Sequence, residues 1–136
     1  MNGAHGTAKG SRVVDETMLM AGKTGTAQVR NISAAERAAG VISNDQLPWN
    51  RRDHALFVCY APFDNPRVAV SVVVEHGGGG SAVAAPIARD MLLYCLTGGI
   101  PPLSAYPAAQ RGRIETQFKE MKLRDFGADS TTRSRA

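Results

Sequence analysis

Two stretches rich in β-branched and aromatic residues stand out in the middle of the chain. One runs from His54 to Ala61 and the other from Arg67 to Glu75. Residues of these types favour strands, and the segment from Pro62 to Pro66 between them has the composition of a turn. The pattern therefore predicts an antiparallel hairpin. Because both stretches are almost continuously apolar, we expect both faces of the sheet to be covered.

A further strand is predicted upstream of this hairpin. The region from Val13 to Val29 has strand character that is interrupted around Asp15 and Glu16. Its best-defined part extends from Met18 to Val29, where an apolar approach leads into alternating small and hydroxyl-bearing residues. A long connection then joins this strand to the hairpin.

The connection contains a helix-capping pattern. Ser33 and Glu36 have the spacing of a capping box, in which the serine accepts from the glutamate amide and the glutamate reaches back to the serine amide. This spacing predicts a short helix that ends near Gly40. Further on, the segment from Leu47 to Trp49 is expected to anchor the connection as an apolar plug.

A longer helix is predicted after the hairpin. The glycines from Gly77 to Gly80 end the strand, and Ser81 is a candidate N-cap. Helical spacing extends from Ala84 to Leu96, and Pro86 is compatible only with the first turn. The positions that this spacing directs toward a core are Ile87, Met91, and Leu92 or Tyr94 with Cys95.

The last part of the chain is expected to be a basic tail. Residues 98–136 contain a weak amphipathic helix from Ala108 to Leu123, and we expect residues 129–136 to be disordered. The apolar residues on one side of this helix are Ile114, Phe118 and Met121. The sequence therefore divides into residues 1–97, an incomplete domain, and the tail. Together the elements predict an α+β fold, an antiparallel three-strand meander followed by a C-terminal helix.

Composition narrows the function classes. The chain has 136 residues, of which 43% are hydrophobic and 21% charged, so it has room for one domain at most. It has no apolar stretch approaching the roughly 20 residues of a membrane helix, and no signal peptide begins it. Most of the net charge of +4 belongs to residues 98–136, which gives no reason to expect nucleic acid as a partner. Cys59 and Cys95 lie in apolar runs and are expected to be buried, with no metal or cofactor indicated.

One short motif carries specific chemistry. Lys23, Thr24, Gly25 and Thr26 follow one another along the first predicted strand. The period of a strand places Thr24 and Thr26 on one face. An ammonium and two hydroxyls on such a strand are suited to hold a carboxylate, and the strand backbone is suited to pair with an extended substrate. Lys-Thr-Gly is also one of the three motifs of penicillin-binding proteins and class A β-lactamases.

Rival motifs share some of these letters. Gly22, Lys23 and Thr24 match the last three residues of the phosphate-binding loop motif. The first glycine of that motif is missing, because Thr17 occupies its position. His76 to Gly79 resembles the oxyanion element of lipases, and no Gly-x-Ser-x-Gly accompanies it. Asp53 and His54 are candidates for an acid–base pair, although neighbours on a strand point to opposite faces. Structural roles are favoured for the last two.

The order of the motifs indicates a family. The chain resembles the penicillin-binding protein 2 group of class B, penicillin-recognising serine transpeptidases over roughly residues 6–97. The stretches that carry the resemblance are Ala21 to Val29, Arg52 to Phe57, Tyr60 to Pro62, Pro66 to Val70 and Val74 to Gly78. The resemblance implies that the fold is the closing portion of a five-stranded penicillin-binding/β-lactamase-like transpeptidase domain. The other strands and the rest of that domain are then expected upstream.

The resemblance also implies a reaction and roles for the motif. In this family a serine attacks the D-alanyl-D-alanine carbonyl of a peptidoglycan stem peptide and passes the acyl group to a neighbouring stem, and β-lactams acylate the same serine. Lys23 would hold the substrate carboxylate and assist proton transfer, and the Thr24 and Thr26 hydroxyls would bind that carboxylate. Gly25 would allow close approach, and the Thr26 amide would be one oxyanion-hole donor.

The nucleophile itself is not in the sequence. No serine is followed by Lys three residues on or by Asn two residues on. We therefore expect the serine to lie in a longer parent protein, and the 136-residue chain alone to be inactive and poorly soluble. The resemblance implies that the parent is anchored in the inner membrane with a periplasmic catalytic domain, and that it works with cell-elongation membrane proteins.

The alternatives to a transpeptidase fragment are a D,D-carboxypeptidase or serine β-lactamase fragment, a non-catalytic interaction module and a phosphate-binding ATPase.

Overall fold

The structure is a computed structural model that describes residues 1, 3 and 5–122. In this part of the chain it has a three-stranded sheet and three α-helices. The strands are β1 (Ala21–Ala27), β2 (His54–Ala61) and β3 (Val68–Val74). The helices are α1 (Ala34–Ala39), α2 (Ala85–Thr97) and α3 (Ala108–Glu120). Single 3-10 turns connect several of these elements, and a π turn at Gly80–Ala84 leads into α2.

The strands form an antiparallel meander in the order β1-β2-β3. β2 has the predicted bounds, and β3 is one residue shorter at each end than predicted. The turn between them contains a cis peptide bond at Ala61–Pro62. The expected α+β fold with an antiparallel three-strand meander is confirmed.

Only one face of the sheet is covered by the residues that the structure describes. Ala55 and Phe57 on β2 are fully buried beneath α2, whereas Val58 is 52% exposed and Val73 on β3 is 60% exposed. The expectation that both faces are covered is therefore wrong for this part of the chain. The apolar residues on the other face form an open surface, which we call the open face.

The first strand begins later than predicted. Met18 belongs to a 3-10 turn, Glu16–Met18, and β1 starts only at Ala21. The cause is Asp15, whose side-chain oxygen Oδ1 accepts hydrogen bonds from the Thr17 amide at 2.9 Å and the Thr17 hydroxyl at 2.6 Å. Aspartate stabilises a local turn in this way in competition with a strand.

The predicted capping box is half formed. Ser33 Oγ accepts from the Glu36 amide at 3.1 Å, and α1 ends at Ala39 with Gly40 as its cap. The Glu36 carboxylate does not return to Ser33, because it makes a bidentate pair with Arg30 at 2.6 and 2.7 Å. The predicted apolar plug is also only partly right, since Leu47 is buried while Trp49 is 62% exposed.

Helix α2 presents a different face to the core than predicted. Ser81 makes no capping bond, because the chain enters the helix through the π turn. Leu92, one of the two alternatives predicted for the core, is buried, whereas the other alternative, Tyr94 with Cys95, is exposed. Ile87 and Met91 are also exposed, contrary to the prediction. The buried residues of α2 are Ala85, Ala88, Arg89, Leu92 and Leu93. Small alanines allow the helix to lie close to the sheet, and this close packing sets the rotation of the helix.

Helix α3 packs against the rest of the molecule. Ile114 is buried as predicted, Phe118 is partly buried, and Met121 lies past the helix end at 46% exposure. Before the helix, Tyr106 is fully buried in the same core. Two hydrogen bonds connect this region to the start of the chain, from Val14 N–H to Ala105 O and from Gln110 Nε2 to Gly10 O.

Residues 129–136, predicted to be disordered, lie outside the described residues, and the division at residue 97 stays a prediction.

None of the helices within the described residues has both the length and the apolar character needed to cross a bilayer.

Candidate functional site

Strand β1 lies at an edge of the sheet. It pairs with β2 on one side, and no described strand pairs with it on the other. Along an edge strand, every second residue presents a free backbone N–H and C=O outward. An extended peptide is able to pair with such an edge as an additional strand.

Lys23 lies on the open face of this edge strand. It is opposite Val58 in the register and is exposed. Its Nζ atom donates a hydrogen bond to the Thr24 carbonyl oxygen at 2.8 Å. Among the described residues it has no carboxylate partner. The ammonium is therefore available to an anion at the sheet edge.

The two threonines of the motif share the other face of the strand, as predicted. Thr24 lies opposite Phe57 and Thr26 lies opposite Ala55, both of which are on the covered face. Thr24 Oγ1 lies 3.3 Å from Thr7 Oγ1, and the Thr26 hydroxyl has no hydrogen-bond partner among the described residues. Lys23 and the hydroxyls therefore flank the strand edge from opposite faces. A carboxylate that binds all of them must lie along the edge itself.

The direction of the Thr26 amide follows from the packing around Gly25. A Cβ atom on Gly80 would lie 2.7 Å from the Gly25 carbonyl oxygen and closer still to the Leu56 carbonyl oxygen. The two oxygens thus lie near each other, in the space between β1 and β2. In a trans peptide unit, the N–H points away from the carbonyl to which it is joined. The Thr26 N–H therefore projects outward from the free edge of β1.

Asp53 and His54 do not form an acid–base pair. The Asp53 carboxylate accepts from the Val29 amide and from the Asn44 side chain, each at 3.3 Å. His54 Nδ1 accepts from the His76 amide at 2.9 Å. Both side chains therefore hold the ends of strands in place. Val29 lies two residues beyond the end of β1, so Asp53 holds the chain in place where it leaves the motif strand.

The glycine segment after β3 does not form a free oxyanion element. His76 has a positive φ of 54°, and its ring contacts those of Trp49 and His54 at 4.5 and 4.7 Å. Its amide is bonded to His54, and the amides of Gly77 and Gly78 donate to Val74 O and Asp53 O. With these amides occupied, none is available to stabilise a developing negative charge.

The phosphate-loop alternative is also inconsistent with the geometry. Gly22 to Thr24 lie inside β1. In a phosphate-binding loop, the corresponding residues lie in a loop that leads into the first turn of a helix. No group of three or more His, Cys, Asp or Glu residues in the described chain is arranged to hold a metal ion.

Two residues near the motif were not predicted. Thr7 contacts Thr24 although it lies in a segment without periodicity, and no local signal indicated this contact. Gly80 packs against the Gly25 peptide, and the only signal was the run of glycines to which it belongs.

Comparison with known proteins identifies the family. The profile of the penicillin-binding protein transpeptidase domain matches residues 2–93. The chain belongs to this transpeptidase family. It is similar to the peptidoglycan D,D-transpeptidase MrdA of Haemophilus influenzae, at 35% identity over 126 residues that cover 91% of this chain and 19% of that protein. It is also similar to MrdA of Acinetobacter baumannii, at 41% identity over 92 residues that cover 65% of this chain and 13% of that protein.

The chain is also similar to a solved structure. Penicillin-binding protein 2 of Helicobacter pylori, in complex with MreC, is 30% identical to this chain with a TM-score of 0.49, over 70% of this chain and 15% of that one. The resemblance to the C-terminal part of penicillin-binding protein 2 is confirmed. The chain spans less than a fifth of the length of the curated relatives it matches.

Proposed function

We propose that this chain is the part of a peptidoglycan D,D-transpeptidase that binds the terminal carboxylate of the stem peptide and supplies one oxyanion-hole donor. The observation that supports this most directly is the edge of β1. There the Lys23 ammonium lacks a carboxylate partner among the described residues, and the Thr26 N–H points away from the sheet.

Each residue of the motif has a physical role in this proposal. Lys23 attracts the D-alanine carboxylate, and a hydrogen bond to a charged group contributes about 1.5–3 kcal/mol. The hydroxyls of Thr24 and Thr26 donate to the same carboxylate. The Thr26 amide donates to the carbonyl oxygen as it becomes negative in the tetrahedral intermediate, where loss of such a donor costs about 2.7–4 kcal/mol. Gly25 allows the substrate backbone to approach β1 closely.

The attacking serine belongs to another segment of the parent protein in this proposal. The 136 residues contain neither Ser-x-x-Lys nor Ser-x-Asn. Without a nucleophile, turnover in a serine enzyme falls by about 10⁶. We therefore expect the 136-residue chain alone to form no cross-link and no covalent β-lactam adduct, while the parent does both.

The open face is the proposed contact with the rest of the transpeptidase domain. It forms a shallow apolar depression that includes Val58, Tyr60 and Ala69, with Lys23 on its border. Exposed apolar surface of this kind is typical of an interaction site. We further propose that the parent is anchored in the inner membrane, acts in the periplasm and works with cell-elongation membrane proteins, as the family resemblance implies.

The central experiment uses the complete protein that contains this chain. We expect Lys23→Met to lower the second-order rate constant of acylation by a fluorescent penicillin about 10- to 150-fold, which corresponds to the loss of one charge-assisted hydrogen bond. Lys9→Met is the matched control, because Lys9 is exposed and lies in a 3-10 turn outside the motif. Equal rates for the two variants would contradict the proposal, and so would a denaturation-resistant penicillin adduct on the 136-residue chain.

The products distinguish transpeptidation from the hydrolytic alternatives. With a stem pentapeptide and an acceptor amine, a transpeptidase yields a cross-linked dimer, whereas a D,D-carboxypeptidase yields free tetrapeptide. Relatives named as D,D-transpeptidases favour the first outcome. Release of tetrapeptide without dimer would favour the second.

A further inference from the structure

The first residue of the π turn lies directly against the motif strand. Gly80 is buried, and a side chain there would meet the backbone of the β1–β2 pair. Its Cβ would lie 2.7 Å from Gly25 O and 3.3 Å from Gly25 N, and nearer still to Leu56 O. Contacts this short to backbone atoms cannot be relieved by rotating a flexible side chain, so either the strand or the turn must move.

The turn is fixed where it contacts the strand. The Ala85 amide donates to the Gly80 carbonyl oxygen, and the Val83 amide donates to Gly79 O at 3.0 Å. Ala84 and Ala85 are fully buried at the start of α2. Gly80 is therefore held between a packed helix and the sheet. No described strand pairs with the outer edge of β1, so the strand can shift in that direction.

We propose that Gly80 is a positioning residue for the peptide unit between Gly25 and Thr26, and through it for the outward Thr26 amide. This inference rests on the proposed oxyanion role of that amide. The absence of a side chain at position 80 lets the turn support the peptide from the covered face. A methyl group at this position pushes the peptide outward and moves the amide away from the reacting oxygen.

The carboxylate-binding ammonium is less affected by this displacement. Lys23 projects from the opposite, open face and lies two residues before Gly25. Misplacing a catalytic group by about 1 Å costs on the order of 100-fold in rate. We therefore expect Gly80→Ala to slow the acylation step by about 10- to 100-fold while it changes the dissociation constant of the non-covalent penicillin complex by less than about threefold.

The test measures the acylation rate constant and the dissociation constant separately, in the complete protein that contains this chain. Gly79→Ala is the matched control, since its Cβ would meet only Ala82 Cβ at 3.8 Å and its φ of −111° suits any residue. A slower acylation step in Gly80→Ala alone, with unchanged affinity, supports the inference. Equal acylation in the two variants overturns it, and so does a parallel change of affinity and rate.

A second variant covers the case in which Gly80→Ala does not fold. Ala82→Gly leaves Gly80 and the core unchanged but loosens the exposed part of the π turn. It is expected to lower the acylation rate constant about two- to fivefold at constant affinity, in line with the extra backbone freedom of glycine. A wild-type value overturns the inference.

Hydrogen exchange separates this inference from the proposed function. Gly80→Ala is expected to accelerate exchange of the Gly25 amide relative to Gly79→Ala, whether or not the protein reacts with penicillin. If the wild-type parent forms no adduct but the Gly25 amide responds, the positioning stands and the proposed function fails. If the amide does not respond, the positioning is wrong.

Discussion

The guanidinium carbon of Arg89 lies 4.7 Å from the centre of the Tyr106 ring, inside the core. Arg89 is 1% exposed. Its Nε donates to Asp90 Oδ1 at 2.9 Å and its Nη1 donates to Gln110 Oε1 at 2.8 Å. A buried arginine is stable only when it is paired in this way. These contacts join α2 to the segment that carries α3.

Removing this guanidinium is expected to destabilise the protein. Arg89→Met keeps most of the side-chain volume but loses the hydrogen bonds and the cation–π contact. We expect the free energy of unfolding to fall by about 3 kcal/mol. Urea denaturation would measure the change, with Arg113→Met, an exposed arginine of α3, as the control. A loss no larger than in the control would mean that the buried contacts contribute no net stability.

The hydroxyl of Tyr106 gives a contrasting prediction. It is buried without a hydrogen-bond partner among the described residues. Burial, with the nearby Asp90 carboxylate, raises the pKa of Tyr106 above its ordinary value. The folded protein already bears the free-energy cost of removing this hydroxyl from water without a compensating hydrogen bond. Tyr106→Phe should therefore change the free energy of unfolding by less than about 1 kcal/mol, or stabilise the protein. A loss of about 2 kcal/mol or more would show that the hydroxyl has a partner in solution.

The two cysteines should differ in reactivity. Burial raises the pKa of the Cys59 thiol from 9.0 to about 11, whereas Cys95 is exposed. Two pKa units lower the thiolate fraction about 100-fold at pH 8. We expect iodoacetamide to modify Cys95 in the native protein and Cys59 only after unfolding, as peptide mass spectrometry would show. Rapid native modification of a Cys95→Ser variant would contradict this.

The raised pKa of Cys59 also implies a dependence of stability on pH. The folded state favours the protonated thiol, so this contribution to stability is fully present below pH 9.0 and is lost as the pH rises toward about 11. Cys59→Ala should lack this alkaline component when melting temperatures are compared between pH 8 and 10.5.

The loop that follows β1 should respond to acid. The hydrogen bond from Arg30 lowers the pKa of Glu36 below its ordinary value of 4.5. The contribution of the pair is therefore present above pH 4.5 and is lost as the pH falls through the lower folded value. The Ile42 amide, which donates to Glu36 Oε1 at 3.4 Å, should exchange faster in acid than its intrinsic rate predicts. Glu36→Gln should abolish this pH dependence, whereas Glu120→Gln should preserve it.

The sheet could be predicted because its signals are local. The pattern predicts β2 with its observed bounds, since eight residues of strand character lie between a charged segment and a proline. The antiparallel meander followed from the short proline-rich turn. The predicted start of β1 is wrong because the Asp15 side chain stabilises a turn in place of the strand. A hydrophobic pattern carries no information about such a side-chain hydrogen bond.

The orientation of α2 could not be predicted in the same way. Its exposed face carries Ile87, Met91 and Tyr94, which a periodicity argument assigns to the core. The observed rotation depends on Ala85 and Ala88, which permit close contact with the sheet, and on the partners that make burial of Arg89 possible. Two of these partners, Tyr106 and Gln110, lie beyond the end of α2, so no local window contains them.

For the motif strand too, local sequence predicts some features, whereas others depend on distant segments. Its residue types indicate the chemistry, and strand periodicity correctly predicts Thr24 and Thr26 on one face. The free edge beside Thr26 and the support from Gly80 depend on how separate segments meet, which a single sequence does not encode locally.

The hydrogen bond from Gln110 to Gly10 closes a loop of one hundred residues. Contacts so distant along the chain slow folding, because the entropy of closing the loop is lost before the contact forms. During synthesis, the segment around Gly10 lacks this contact until α3 has been translated. A premature stop after α2 would therefore leave the segment around Gly10 uncovered as well as the new end of the chain, and such a product should be readily degraded by cellular proteases.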